Sequence, residues 1–349
     1  MNSDRAIPTL DDVAKAAGVS TATVSRCLNS PKLVVKATRL RVLDAVEKLG
    51  YTPNFGARVM AAKRTFTIGA IIPTMENSIF ARGLQAFQEE LHERGYTLLV
   101  SSSAYRSDVE EEQIKALVAR GADGLLLIGH DRDPAIYTYL ERQNVPVLVA
   151  WAFSKNQIQP SIGFDNRASM CTLAGEVFKK GHRRIGVISG ITKGNDRAAE
   201  RVQGIKDACA TFDLDPSDLN IIEISYGIEN GKTAFDALVK DQPHPTAIMC
   251  GNDVLAVGAL LRAQEVGFRV PEDISITGFD DIELAQIVSP CLTTMHVPHR
   301  EMGKRAAIEL TAIVEKKSTG KSVELQSSLK LRESLGFVRG FAAGTAPKD

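Results

Sequence analysis

Few residues of this chain have the types and spacing that chemistry demands, and those that come near fail on spacing. Gly227-Ile228-Glu229-Asn230-Gly231-Lys232-Thr233 follows a predicted strand and opens a predicted helix, the setting of a phosphate-binding loop. It has three residues between its glycines, whereas backbone N–H groups surround a phosphate only when there are about four. An ordinary helix start with Lys232 at the surface is the simpler reading, and a nucleotide-using enzyme is the rival. Gly186, Gly190 and Gly194 do not make the dinucleotide fingerprint G-x-G-x-x-G. His296 and His299 flank Pro298 with no cysteine nearby, so they read as loop or core histidines rather than metal ligands. Neither G-x-S-x-G nor H-E-x-x-H occurs. No catalytic residue, metal or cofactor is expected.

The side chains suited to holding a small ligand are more promising. A ligand in a cleft needs forked donors, acceptors and aromatic faces, delivered by loops at the carboxyl ends of parallel strands. Asn77, Phe80, Ser101 and Trp151 follow one series of predicted strands, and Arg201, Tyr226, Asn252 and Asp280 follow a second. Arg201 offers a planar fork and Asp280 a two-oxygen acceptor, the combination that a polyhydroxylated ligand requires. The same two residues could instead be a structural ion pair across the cleft. The aromatic residues could equally belong to the core.

The elements that must carry these residues are legible as short apolar runs at 66–72, 96–102, 123–129 and 146–151, then 183–189, 220–225, 246–251 and 274–279, separated by helix-length amphipathic stretches. Continuous apolar strands of this kind are covered on both faces, so the pattern predicts two doubly wound parallel α/β subdomains with the ligand between them. Ahead of them lies an all-α head. Thr9 and Asp12 resemble a capping box, Leu10, Val13, Ala14 and Ala17 recur at helical spacing, and Gly18 stops that helix. Ser20 caps a second helix with Val24, Cys27 and Leu28 turned inward. Val42, Leu43, Val46 and Leu49 mark the inner stripe of a third, closed by Gly50.

Charge separates the two parts. The whole chain is neutral, with 42 Lys/Arg and 42 Asp/Glu. Residues 1–64 nevertheless hold 11 Lys/Arg against 5 Asp/Glu, a net charge of +6, and the remainder is net −6. A basic head on an acidic body points to nucleic acid at the head alone. The second helix turns Thr21, Ala22, Ser25 and Arg26 outward, a short-chained face that can enter the major groove. There Arg26 can grip guanine O6 and N7, and the Ala22 methyl can meet a thymine methyl. The five cysteines (Cys27, Cys171, Cys209, Cys250 and Cys291) are scattered without a C-x-x-C pair, which fits reduced thiols in the cytoplasm. No signal segment or membrane-spanning run is evident.

The stretch TLDDVAKAAGVSTATVSRCLN resembles the helix-turn-helix of the lactose/galactose-repressor family of bacterial transcription factors. The resemblance continues through Tyr51-x-Pro53-Asn54 and Ala57-Arg58, which are similar to the family's hinge helix. It implies a helix-turn-helix domain over 1–53, a hinge and linker over 54–64, and a periplasmic-binding-protein-like domain over 65–349 for effector binding and dimerisation. The first subdomain is then about 65–162 plus 293–325 and the second about 163–292 plus 326–343. The implied DNA contacts are Thr9, Ser20, Thr21, Ala22, Thr23, Ser25, Arg26 and Asn29 on the head, and Asn54, Ala57 and Met60 on the hinge, with Met60 in place of a leucine wedge. In the body the resemblance singles out Arg201, Asn252 with Asp253, Asp280 and Tyr226 as effector residues. Trp151 stands where relatives often carry Asp, which favours a sugar acid or a ligand with an apolar face over a plain hexose. The expected molecule is a cytoplasmic homodimer that binds operator DNA, with a sugar or sugar acid as effector. The alternative is a solute-binding module with a vestigial head.

Overall fold

Thr9 opens the first helix with the reciprocal cap that its spacing to Asp12 predicts. Its backbone N–H donates to the Asp12 carboxylate at 2.9 Å, and its hydroxyl accepts from the Asp12 N–H at 3.3 Å. The computed structural model describes residues 7–29, 31–52, 64–154 and 156–339 of the chain. These fall into two units, Met1–Thr65 and Phe66–Asp349.

In the first unit, α1 (Leu10–Ala17) ends at Gly18, whose φ of 63° is left-handed, and α2 (Thr21–Asn29) follows at once. The Ser20 hydroxyl caps α2 by accepting the Thr23 N–H at 3.2 Å. A short 3-10 turn leads to α3 (Lys36–Leu49), which starts after Val35 without a side-chain cap. Val13, Ala14, Ala17, Val24, Cys27, Val42, Ala45 and Tyr51 form the core. The inner face of α3 is the predicted one only in part: Val42 and Val46 turn inward as expected, and Leu43 and Leu49 do not. Leu43 and Leu49 are 44% and 37% exposed. Val42, Ala45 and Val46, at i, i+3 and i+4, take the inner face, and Tyr51 folds back beyond the Gly50 turn.

The second unit is built on parallel sheets. β1 (Thr67–Ile72), β2 (Thr97–Ser102), β3 (Gly124–Ile128), β4 (Val147–Ala150), β5 (Ser161–Gly163) and, from near the end of the chain, β11 (Val323–Glu324) make one sheet of order β11-β5-β4-β3-β1-β2. The other has order β7-β6-β8-β9, from β6 (Ile185–Ser189), β7 (Asn220–Glu223), β8 (Ala247–Cys250) and β9 (Ser275–Thr277). β1, β3, β6 and β8 are buried along their whole length, which is why they read as unbroken apolar runs. β10 (Thr294–His296) pairs antiparallel with β12 (Ser328–Lys330) where the chain passes between the sheets.

Helices cover both sheets. α4 (Ser78–Glu93), α5 (Ser107–Ala119), α6 (Pro134–Arg142) and α12 (His299–Val314) accompany the first. α7 (Asn166–Lys179), α8 (Asp196–Thr211), α9 (Ile228–Leu238), α10 (Asp253–Glu265) and the single turn α11 (Leu284–Ile287) accompany the second. α4 and α12 cross in direct backbone contact at Gly83 and Gly303, where a Cβ on Gly303 would run into the Gly83 carbonyl. No described helix is long and apolar enough to cross a membrane.

Candidate functional site

Two surfaces stand out, one on each unit. On the head, α2 presents Thr21, Ala22 and Arg26 to solvent, while Thr23 and Ser25 are half-buried. Thr9 and Ser20 are exposed and also serve as helix caps. Asn29 ends α2, whereas Asn54, Ala57 and Met60 lie outside the described residues. The face that sequence periodicity turned outward is thus the face the core leaves free, because Val24 and Cys27 are buried on the opposite side.

In the body, loops at the carboxyl ends of the strands converge on one cleft. One wall comes from the six-stranded side: Asn77, Ile79 and Phe80 at the start of α4, Tyr105 beyond β2, and Trp151 beyond β4. The other comes from the four-stranded side: Asn195, Arg197 and Arg201 at the start of α8, Tyr226 beyond β7, Asn252 before α10, and Asp280 beyond β9. Seven of the eight residues predicted for a ligand line this cleft, the exception being Ser101. It lies within β2, paired with Ile71, one residue before the strand ends. The cleft is reached instead by Tyr105 in the following loop.

Arg201 is held on every nitrogen. Nε donates to Asn166 Oδ1 at 2.9 Å, Nη1 to the Gly251 carbonyl at 2.6 Å and Nη2 to Asp280 Oδ1 at 3.3 Å, and the guanidinium stacks 3.8 Å from the Phe279 ring centroid. The ion pair lies within one wall rather than across the cleft. Burial lifts the Asp280 carboxyl to about 6, against the pull of Arg201. Neighbouring Asp253 turns away, accepting from the Thr294 hydroxyl at 2.7 Å and the Ile282 N–H at 2.8 Å, and burial lifts it to about 8.

Trp151 is 1% exposed and has a left-handed φ of 62°. Its indole N–H donates to His299 Nδ1 at 3.2 Å, and its ring tilts against Phe80 at 5.5 Å between centroids. Burial drives His299 down to about 3, so the imidazole is neutral and Nδ1 is an acceptor. Trp151 thus borders the cleft while almost wholly buried, with the Cζ2–Cη2 edge of its ring against Gly83 of α4.

Contacts also bridge the walls. Asp196 Oδ2 accepts the His130 N–H at 2.6 Å, and Arg197 Nη1 donates to the Ile128 carbonyl at 3.1 Å. Gly129 between them has φ 73°, and a Cβ there would strike both side chains. Tyr105 and Tyr226 face each other at 5.6 Å between ring centroids. Consecutive left-handed residues, Ala104 at φ 51° and Tyr105 at φ 60°, swing the Tyr105 ring inward.

Sequence reasoning missed Ile79, Tyr105, Asn195 and Arg197. Arg197 alone had a usable signal, since it precedes Arg201 by four residues and so shares its helix face. The declined motifs have structural partners. Lys232 pairs with Glu265 at 2.9 Å, and His296 Nδ1 lies 2.9 Å from Asp281. No group of His, Cys, Asp or Glu among the described residues could hold a metal ion.

The profile of bacterial regulatory proteins of the lacI family matches residues 9–54, and that of periplasmic binding protein-like domains matches residues 174–335. The HTH-type transcriptional repressor PurR of Proteus mirabilis (strain HI4320) is 33% identical over 331 residues, covering 94% of this chain and 96% of that one. The chain belongs to the LacI family. Among solved structures, the lac repressor dimer bound to operator and the anti-inducer ONPF superposes with a TM-score of 0.84 at 25% identity, over 95% of this chain and 100% of that one. The regulator CelR in complex with cellobiose gives a TM-score of 0.68 at 27% identity, over 94% and 99%. This LacI-family member is accordingly a DNA-binding transcriptional repressor with a ligand-binding domain, and its relatives are regulators rather than enzymes.

Proposed function

We propose that this repressor acts as a cytoplasmic homodimer whose two α2 helices read the halves of a pseudopalindromic operator, under the control of a sugar or sugar acid bound in the cleft. The observation that carries the effector reading is the cleft's two-sided chemistry. Ile79, Phe80 and Trp151 supply apolar surface on one wall, and Arg197, Arg201, Asn252 and Asp280 supply polar groups on the other. A ring with one apolar face and one hydroxylated edge fits between them. Cellobiose in the CelR complex and the dimeric lac repressor on its operator support the ligand class and the assembly. The exposed Thr21, Ala22 and Arg26 support a reading helix over a vestigial head.

The test is selection of genomic fragments by the full-length protein at fixed moderate salt, followed by sequencing of the bound DNA. Recovery of a two-fold-symmetric site is the expected result, and metabolites of the adjoining genes are then assayed for their effect on affinity. Recovery blind to sequence would refute operator recognition.

A further inference from the structure

The effector reading leaves open whether the ligand is neutral, and the donors and acceptors around the cleft bear on that. Three helices begin on it, each capped by asparagine rather than aspartate. Asn77 Oδ1 accepts the Ile79 N–H at 3.2 Å, Asn195 Oδ1 the Ala198 N–H at 3.5 Å and Asn252 Oδ1 the Leu255 N–H at 2.9 Å. Each asparagine spends its acceptor on its own helix; among the described residues no protein acceptor takes the amide NH2 of Asn77 or Asn252, while Asn195 Nδ2 donates to the Tyr226 hydroxyl at 3.4 Å and keeps its second N–H. Helices α6 and α7, whose caps do not line the cleft, begin with Asp133 and Asp165.

The charged groups point the same way. Arg201 is matched by Asp280 inside the wall, at 3.3 Å. Arg197 spends only Nη1, on Asp196 and the Ile128 carbonyl, and among the described residues no protein acceptor takes up its Nε or Nη2. Asp196 is in turn consumed by His130 N–H and by Arg197 itself, its Oδ1 accepting from both the Arg197 N–H and Nη1. Asp253, at the first position of α10, faces Thr294 and Ile282 instead of the cleft. The acceptors left in the cleft are Asp280 Oδ2, on a carboxylate already paired with Arg201, and the Tyr105 and Tyr226 hydroxyls, so donors outnumber acceptors. A neutral sugar, whose hydroxyls donate as readily as they accept, leaves such a site half-matched, whereas a carboxylate only accepts.

We infer that the effector carries a carboxylate, received by the Arg197 fork and the asparagine amides, beside the apolar face that the opposite wall requires. The inference rests on the effector reading of the cleft and narrows it. A carboxylate fits better than a phosphate dianion, because Arg201 is paired to Asp280 and Arg197 to Asp196 through Nη1, which leaves a single forked edge, Arg197 Nε and Nη2, for an anion.

The test uses the full-length protein at constant ionic strength and matched probes: D-gluconate against D-glucitol, D-glucuronate against D-glucose, and D-glucose 6-phosphate. Thermal unfolding across a concentration series is the readout, since a ligand raises Tm by stabilising the native state, in an amount that grows with the logarithm of its concentration over Kd. The expected result is a rise with at least one acid and none with its neutral partner. Arg197→Gln should weaken the apparent affinity for the acid at least about tenfold, a loss of the order of one bidentate contact. Asn195→Asp guards against misfolding. Aspartate caps a helix as well as asparagine does, so the unliganded Tm should hold while the acid response disappears. A neutral partner that stabilises as well as its acid, preference for the phosphate, no response to any acid, or an undiminished response in Asn195→Asp would each overturn the inference. Operator selection on the same preparation separates the two levels. Specific DNA recovery together with a neutral-sugar response removes the carboxylate and leaves the regulator, whereas loss of specific recovery removes the reading beneath it.

Discussion

Replacing Arg201 with methionine tests whether the cleft's polar wall is a coupled unit. Methionine keeps much of the aliphatic volume but removes the donors to Asn166, Gly251 and Asp280 and the stack on Phe279. Asp280, 2% exposed, would then be buried without its countercharge. Breaking a buried pair from one side costs about 3–5 kcal/mol, mostly through the stranded partner. Against a total stability of about 5–15 kcal/mol, and at about 2–4 °C per kcal/mol for a unit of this size, Tm should fall by about 6–20 °C. The loss should depend on pH in a defined direction. Burial already lifts the Asp280 carboxyl to about 6 while Arg201 pulls it down. Without the arginine it protonates at still higher pH, so the penalty is largest at pH 8 and shrinks towards pH 5. Adding Asp280→Asn to Arg201→Met should restore much of the lost Tm at pH 8 and flatten this dependence. Thermal melts of the four proteins at the two pH values form the complete cycle. A fall of under about 1 kcal/mol, or a double variant no more stable than Arg201→Met, would refute the assignment.

Arg26→Ala, at an exposed position of α2, should cost about 1–3 kcal/mol at one base position and leave Tm unchanged; binding to a set of single-base operator variants checks it, and undiminished selectivity would remove Arg26 from base reading. Gly303→Ala forces a methyl against the Gly83 carbonyl and should destabilise by about 1–3 kcal/mol in urea unfolding; no change in midpoint would mean that α4 and α12 separate freely. Burial lifts Asp253 to about 8 from an ordinary 3.8, so the folded state holds its proton longer and wild-type stability falls as pH rises from about 4 to about 8. Asp253→Asn should therefore gain on the wild type between pH 5 and pH 8, and parallel melting curves would contradict that.

What could be read in advance followed from periodicity and residue type. Unbroken apolar runs gave the strands because β1, β3, β6 and β8 are buried on both faces. Strand order was not in the residues themselves, since the return of β11 to the first sheet joins segments about 160 positions apart. At the cleft, residues just beyond strand ends were recoverable because parallel sheets always open there. Tyr105 was not, because its direction depends on left-handed backbone at Ala104 and Tyr105, which neither residue type favours. Ser101 looked well placed only because β2 runs on to Ser102. Leu43 and Leu49 failed because a stripe counted in large apolar residues overlooked Ala45, which is 4% exposed on the inner face.

The contacts that bridge the cleft set how strongly any ligand must act. Asp196 with the His130 N–H and Arg197 with the Ile128 carbonyl are charge-assisted bonds, worth about 1.5–3 kcal/mol each when shielded. The Arg82–Glu283 pair at 2.6 Å has a glutamate 85% exposed and adds at most about 1 kcal/mol. Separating the walls therefore costs several kcal/mol. Driving a two-state equilibrium from one side to the other takes about 5.5 kcal/mol of differential affinity, a quantity of the same order. A ligand carboxylate on the free Nε and Nη2 of Arg197 leaves the Nη1 bond to the Ile128 carbonyl in place and fixes the side chain that makes it, so its carboxyl acts on closure as well as on binding. A neutral analogue of the same shape would occupy the cleft without engaging that fork and shift the equilibrium less. Arg197→Lys separates the two effects. It keeps the charge, but its compact ammonium cannot serve the Ile128 carbonyl and a ligand carboxylate in the forked geometry at once. Its expected signature is a weakened ligand response in DNA affinity at saturation, beyond the loss in ligand affinity itself. Equal losses in the two measurements would show that Arg197 binds the ligand without governing closure.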